Sequence, residues 1–272
     1  MTVSAPAVNP ALSAARPRLV RVRPPTSAVR AGTYPHLAED LVSGWHRHDL
    51  HQIEYAVEGV VQVETAAARY LLPPQQAVWI PAGLAHNTTL RKVRTVSVFL
   101  DPALVEGMGD RARVLTVEPV FREMIRYAAR WSIDRPANEP LADSYFQVLA
   151  GLVVHWLAAE SPFYLPRSDD PVVAAAMCYT DEHLDAVTVA EVCNAVSVSQ
   201  RTLRRRFAAE TNLTWRVYLL RSRLLRAMAL LAEPDYTVAS VANRVGFDSA
   251  SAFARAFFAY TGQTPSAYRR RS

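Results

Sequence analysis

Two groups of side chains in this 272-residue chain could do chemistry. The first is His46, His48, Gln52 and His86, the last of them closing the run Pro81-x-Gly83-x-x-His86. Three neutral imidazoles and an amide oxygen suit a borderline divalent ion such as Zn, Ni, Fe(II) or Cu. The same groups also suit a small polar ligand or a hydrogen-bonded structural cluster. The second group follows two serines: Gln200, Arg201, Arg204 and Arg205 after Ser199, and Ala250, Ser251 and Arg255 after Ser249. A guanidinium bonds guanine O6 and N7 bidentately, and a serine that opens a helix presents backbone N–H groups to phosphate. One arginine-bearing helix face is commonly just solvated. Two in tandem, each with its own cap, point to DNA.

The arginine groups stand on two similar patterns. Thr188 to Phe207 and Thr237 to Phe257 each read as a short helix, a tight turn and a second helix opened by serine. Thr188 with Glu191 forms a capping box, and Ser199 and Ser249 are favourable N-cap residues. Leu203 with Phe207, and Phe253 with Phe257, sit at i, i+4 and mark the buried stripe. Between the patterns, Leu213 to Leu231 predicts one long helix, with Trp215, Tyr218, Leu219, Leu225, Met228 and Leu231 as core. At ~1.5 Å per residue it spans roughly 27 Å, a fitting connector for groove sites about 34 Å apart.

The run Gly246-Phe247-x-Ser249-x-Ser251-x-Phe253-x-Arg255-x-Phe257, then Gly262-x-Thr264-Pro265-x-x-Tyr268-Arg269, resembles the signature of AraC/XylS-type transcriptional regulators. The resemblance covers about a hundred residues. It implies two helix-turn-helix units joined by a long helix, reading successive major grooves of double-stranded promoter DNA, and it leaves room for contact with RNA polymerase. DNA binding of this kind requires no cofactor.

The histidines lie in a different kind of segment. Gln52 to Val57 and Val60 to Glu64 alternate apolar and polar residues around Glu58-Gly59, a hairpin signal. Tyr70 to Leu72, Ala77 to Ile80 and Val93 to Leu100 predict further strands, and such spacing suits a small β-barrel. His46-x-His48-x3-Gln52-x6-Gly59 and Pro81-x-Gly83-x-x-His86 resemble the two motifs of the cupin fold. Gln52 stands where that fold usually has Glu; Asp40 and Gln75 replace glycines, and Leu90 replaces Asn. The resemblance implies that the motifs sit side by side and converge on one metal or effector site; strand alternation places His51 on the other face, outside the cluster. An alternative reading is a metal-dependent cupin enzyme, a dioxygenase or isomerase, with an accessory DNA-binding unit.

Composition bounds the rest. After Pro171 there are 13 Arg, no Lys and 8 acidic residues, so that part carries the whole net charge of +5. This is the electrostatic footprint that phosphate neutralisation needs. The two cysteines, Cys178 and Cys193, make no disulfide framework and fall in helical apolar patterns, as core thiols would. With no stretch near ~20 consecutive apolar residues and no signal-peptide core, a cytoplasmic protein without a membrane span is expected.

The expected fold is α+β and multidomain: a cupin-like barrel with a helical dimerisation segment, then an all-α double helix-turn-helix. Residues 1–30, rich in Ala, Pro and Arg, read as a disordered arm. Residues 31–110 would form the sensor barrel. In 111–160, helices over Glu118 to Trp131 and Leu141 to Ala159 would supply a homodimer contact; the second has a wide apolar stripe. Residues 161–170 would be a linker, and 171–272 the DNA-binding domain, opened by Asp170 before Pro171.

Overall fold

The computed structural model describes residues 17–271, which form two compact units divided between Phe163 and Tyr164. The first contains strands β1 (Arg18–Leu19), β2 (Ala31–Val42), β3 (His46–Arg47), β4 (His51–Thr65), β5 (Ala68–Leu72), β6 (Gln76–Ile80), β7 (His86–Leu100) and β8 (Arg113–Thr116). Helices α1 (Pro119–Ala128) and α2 (Pro140–Leu157) follow.

Strand β7 organises the sheet. It pairs antiparallel with β2 along one edge and with β4 along the other, so that Ala31 and His51 both stand opposite Leu100. Strand β3 joins β7 at His46↔His86, which brings the two sequence motifs side by side. Between His51 and Ala56, β4 is buried on both faces. Successive side chains point to opposite faces. Ile53 and Tyr55 pack with Trp79, Val98 and Leu100 under Phe121, Ile125, Phe146 and Leu149 of α1 and α2. Gln52 and Glu54 therefore face the other way, and they are equally shielded from solvent. Pro at the first position of each helix supplies a preset φ where the N–H has no helical partner. Phe121 stacks on Trp156 with ring centroids 3.9 Å apart, and burying such a side chain contributes about 1.5–3 kcal/mol.

Four expectations from the sequence need correction. Glu58-Gly59 does not turn a hairpin: β4 runs straight through it, with register shifts against β7 on either side of Glu58. Gly59, at φ 79°, serves a bulge whose missing Cβ would stand 2.9 Å from Lys92 O. Bulge and tight turn share the same demand for a left-handed glycine, and the long partner strand selects the bulge.

Residues 17–30 are not a loose arm. β1 runs parallel to β3, Val20 N donates to Arg47 O at 2.8 Å, and Arg23 pairs with Asp101 at 2.7 Å. Val22 and Val29 complete a small cluster with Leu50, Phe99 and Ile133. Backbone pairing to a free strand edge needs no apolar composition, which is why the segment looked unstructured. The remainder of the expected arm, residues 1–16, lies outside the described residues. The sheet also extends past residue 110, because Val114 and Leu115, both wholly buried, place β8 beside β6. At the expected linker, Ser161 belongs to the sheet unit: its N donates to Val114 O at 3.0 Å and its Oγ lies 2.7 Å from Thr116 Oγ1.

The second unit contains β9 (Tyr164–Pro166) and helices α3 (Pro171–Glu182), α4 (Val189–Ala195), α5 (Gln200–Thr211), α6 (Trp215–Ala232), α7 (Val238–Arg244), α8 (Ala250–Thr261) and α9 (Pro265–Arg271). Asp170 caps α3, accepting from Val172 N at 2.9 Å and Val173 N at 3.0 Å. The long helix α6 carries Tyr218, Leu224, Leu225, Met228 and Leu231 into the core, while Leu219 is only half-buried. Of the cysteines, Cys193 is buried; Cys178 is half-exposed and bonds Glu182.

Candidate functional site

The histidine cluster is built by strand pairing. His46 lies on β3, His86 opens β7 opposite it, and His48 follows in the connection to β4. One ring nitrogen from each of the three lies within 4.8 Å of the others. The ring centroids of His46 and His86 are 4.3 Å apart, and those of His48 and His86 are 5.0 Å apart. Their orientation is set from outside the cluster. Nδ1 of His46 donates to Gly44 O at 2.8 Å, that of His48 to Leu50 O at 2.6 Å, and that of His86 to Leu84 O at 2.9 Å. Each bond fixes one tautomer and leaves Nε2 as the lone-pair nitrogen, as backbone carbonyls do behind metal-ligating histidines.

Burial pushes all three imidazoles below their ordinary value, His86 down to about 3, with the neighbouring imidazoles adding to the effect there. Neutral imidazole is the form that ligates metal. His86 Nε2 is buried with no hydrogen-bond partner. An orphaned buried acceptor beside two further imidazoles is the arrangement a cation relieves.

Gln52, on β4, reaches the same place. Its Oε1 lies 2.8 Å from His48 Nε2, and its NH2 donates to Glu54 Oε2 at 2.8 Å and Ser97 Oγ at 3.1 Å. With His48 Nδ1 already donating, Nε2 and the amide oxygen are two acceptors facing one another. A cation beside both, or a shared proton, reconciles them. The donor set therefore fits a divalent metal, with Gln52 Oε1 as an amide ligand beside the three rings. Glu54 and Ser97, which neither histidine motif includes, anchor the Gln52 amide, and Ser97 also donates to Glu54. Burial raises the Glu54 carboxyl, while its hydrogen bonds with Ser97 and Gln52 pull the other way. The strand alternation itself held a signal, since Gln52-x-Glu54 places both on one face. His51 stands apart: its Nδ1 accepts from Ala82 N at 3.0 Å, and its ring lies 4.6 Å from Trp79.

The second unit presents two helix faces. Ser199 caps α5, accepting from Thr202 N at 3.2 Å, and Ser249 caps α8, accepting from Ala252 N at 3.2 Å. Leu203 and Phe207, Phe253 and Phe257 are buried, so geometry leaves Gln200, Arg201, Arg204 and Arg205 exposed on α5. Ala250, Ser251 and Arg255 are exposed on α8. Arg206 is half-exposed and pairs with Asp170 at 3.3 Å, which separates it from its three exposed neighbours.

A sheet domain with a convergent ligand cluster, joined to two helix-turn-helix units, defines a transcription regulator with ligand-binding and DNA-binding parts. Comparison with known proteins gives the family. Residues 30–163 match the AraC-like ligand binding domain, and residues 192–271 match a helix-turn-helix domain. The chain is 30% identical, over 94% of its length and 76% of the relative's, to a putative AraC-like transcription regulator of Streptomyces lividans. It is 29% identical to the HTH-type transcriptional regulator NimR of Escherichia coli (strain K12), over 88% of this chain and 85% of that one. Among solved structures it is similar to the DNA-binding domain of AdpA in complex with a target DNA. That likeness has 35% identity and a TM-score of 0.36, covering 38% of this chain and 93% of that one. The chain belongs to the AraC-like transcription regulators. Among the described residues, no helix is long and apolar enough to cross a membrane.

Proposed function

We propose that this regulator takes a divalent metal ion as its effector, held by His46, His48, His86 and the Gln52 oxygen. One observation carries the reading: three imidazoles converge with their Nδ1 atoms tied to backbone carbonyls, and the buried His86 Nε2 has no partner. When bound, the ion would supply charge and a fixed coordination geometry at the junction of β3, β4 and β7. The chain's own groups do the rest: the carbonyls orient the rings, burial disfavours their charged form, and Glu54 and Ser97 hold the Gln52 amide.

In this reading α5 and α8 enter successive major grooves of double-stranded promoter DNA. Ser199 and Ser249 stand at phosphates, and Gln200, Arg201, Arg204 and Arg205 read bases in one half of the site. Ala250, Ser251 and Arg255 read the other half more loosely, partly through DNA shape. The chain acts as a homodimer in the cytoplasm, contacts RNA polymerase at its promoters and has no enzymatic role. Exposed Leu141 and Val148 on α2 support the dimer contact.

The test is metal content of untagged full-length protein, purified without chelator and reconstituted with Zn, Ni, Fe(II) or Cu, beside His48→Ala. The expected result is near-stoichiometric metal in the wild type, lost in the variant, with operator affinity changing on loading. No metal in the reconstituted wild type would overturn the proposal.

A further inference from the structure

Arg223 sits where three pieces of the second unit meet. It projects from α6; its Nε donates to Leu184 O at 2.9 Å and its Nη2 to Asp185 O at 3.2 Å, both in the α3–α4 connection. Against the same guanidinium lies Gly246, in the turn between α7 and α8. A Cβ there would stand 2.6 Å from Arg223 Nη2 and 2.1 Å from Asp185 O, and its φ of 80° is left-handed as well. The corresponding residue of the first unit is Ser197, also left-handed at φ 54° yet exposed. The second turn also holds one residue more than the first: Asp248 before the cap Ser249. Asp248 and Asp185 place negative charge beside the partly buried guanidinium.

The two turns therefore differ in what they touch. The first turn ends at solvent. The second presses a bare backbone onto an arginine that is already bonded to the α3–α4 connection, which leads into the first helix-turn-helix. We infer that Arg223 is a positioning residue: seated on Gly246, it locks the first helix-turn-helix to the second and so sets the spacing and rotational phase at which α5 and α8 meet DNA. The inference rests on the reading that both helices contact one duplex. A fixed separation makes the second contact intramolecular at high effective concentration, and loosening the joint lowers that concentration while tolerating other spacings.

The test uses the full chain and a bipartite duplex selected from a random-sequence library by the wild-type protein. Companion duplexes carry a few inserted base pairs between the halves, or one half scrambled. Arg223→Ala is expected to bind the bipartite duplex roughly tenfold more weakly, to stay within about twofold on the single half, and to lose most of its spacing dependence. Arg223→Lys, which cannot bond both carbonyls with one rigid fork, should fall between. Circular dichroism and thermal melting check folding; should the alanine variant not fold, the lysine variant carries the spacing series. Equal losses on whole and half sites, or a variant with the wild-type spacing profile, would overturn the positioning role. A wild-type protein indifferent to spacing would instead overturn the two-helix reading, and this inference with it.

Discussion

The two helix-turn-helix units are near repeats that spend their side chains differently. Both open with a capping threonine, seat a serine before the second helix and bury an i, i+4 pair. Both close that helix with a left-handed residue, Asn212 in one and Gly262 in the other. The first unit adds a complete capping box and an arginine-rich face. The second has Ser240 where Glu191 stands, alanines on its exposed face, and a glycine turn pressed onto Arg223. The shared features build the scaffold, and the differences sort the units by task. In the two proposals above, the first discriminates bases and the second is held at a fixed place.

The largest expected effect tests that sorting at the turns. Gly246→Ala should destabilise the second unit by about 3 kcal/mol, since a Cβ meets backbone at a left-handed φ. Ser197→Gly should be neutral or gain roughly 0.5 kcal/mol, because it only relieves left-handed strain. Chemical denaturation of both variants checks this, and equal effects would dissolve the distinction.

Next in size is base readout. Arg201→Ala and Arg204→Ala should each cost ~1–3 kcal/mol of discrimination at one base pair, whereas Arg255→Ala should cost less at its own position. Binding to a panel of single-base operator variants measures it. An unchanged preference profile in Arg201→Ala would remove that residue from readout.

The smallest effect is acid sensitivity confined to the first unit. Hydrogen bonds from the Thr188 side chain and backbone hold the Glu191 carboxyl below its usual 4.5. A lowered folded value means the contribution is present above 4.5 and is lost as pH falls through the folded value. Amide-exchange protection of α4, corrected for the intrinsic rate, should therefore fall at acid pH before that of α7, and Glu191→Gln should abolish the difference.

Much of the second unit was legible because its signals are local. Caps, a left-handed turn residue and an i, i+4 aromatic pair each act within a few residues, so Thr188, Ser199 and Phe257 could be placed from spacing alone. The sheet was less legible. Glu58-Gly59 carries the same signal for a bulge as for a hairpin, and only the unbroken partner β7 decides between them. The order of residues 17–30 comes from pairing to β3 and from Arg23 reaching Asp101, contacts far apart in sequence. In α1, Phe121 is fully buried and its apolar neighbour Val120 is exposed, a choice that packing against the sheet makes.

The histidines show where the division falls. Residue chemistry and short periodicities were enough to give the donor types of the histidine cluster, the capped helices and the side of each helix that carries arginine. Folding in three dimensions set His46 opposite His86, brought the Gln52 amide to Ser97, and laid Arg223 across two turns. Those are contacts between segments distant along the chain, set by strand register and helix packing, and no local signal specifies which distant partner a residue will meet.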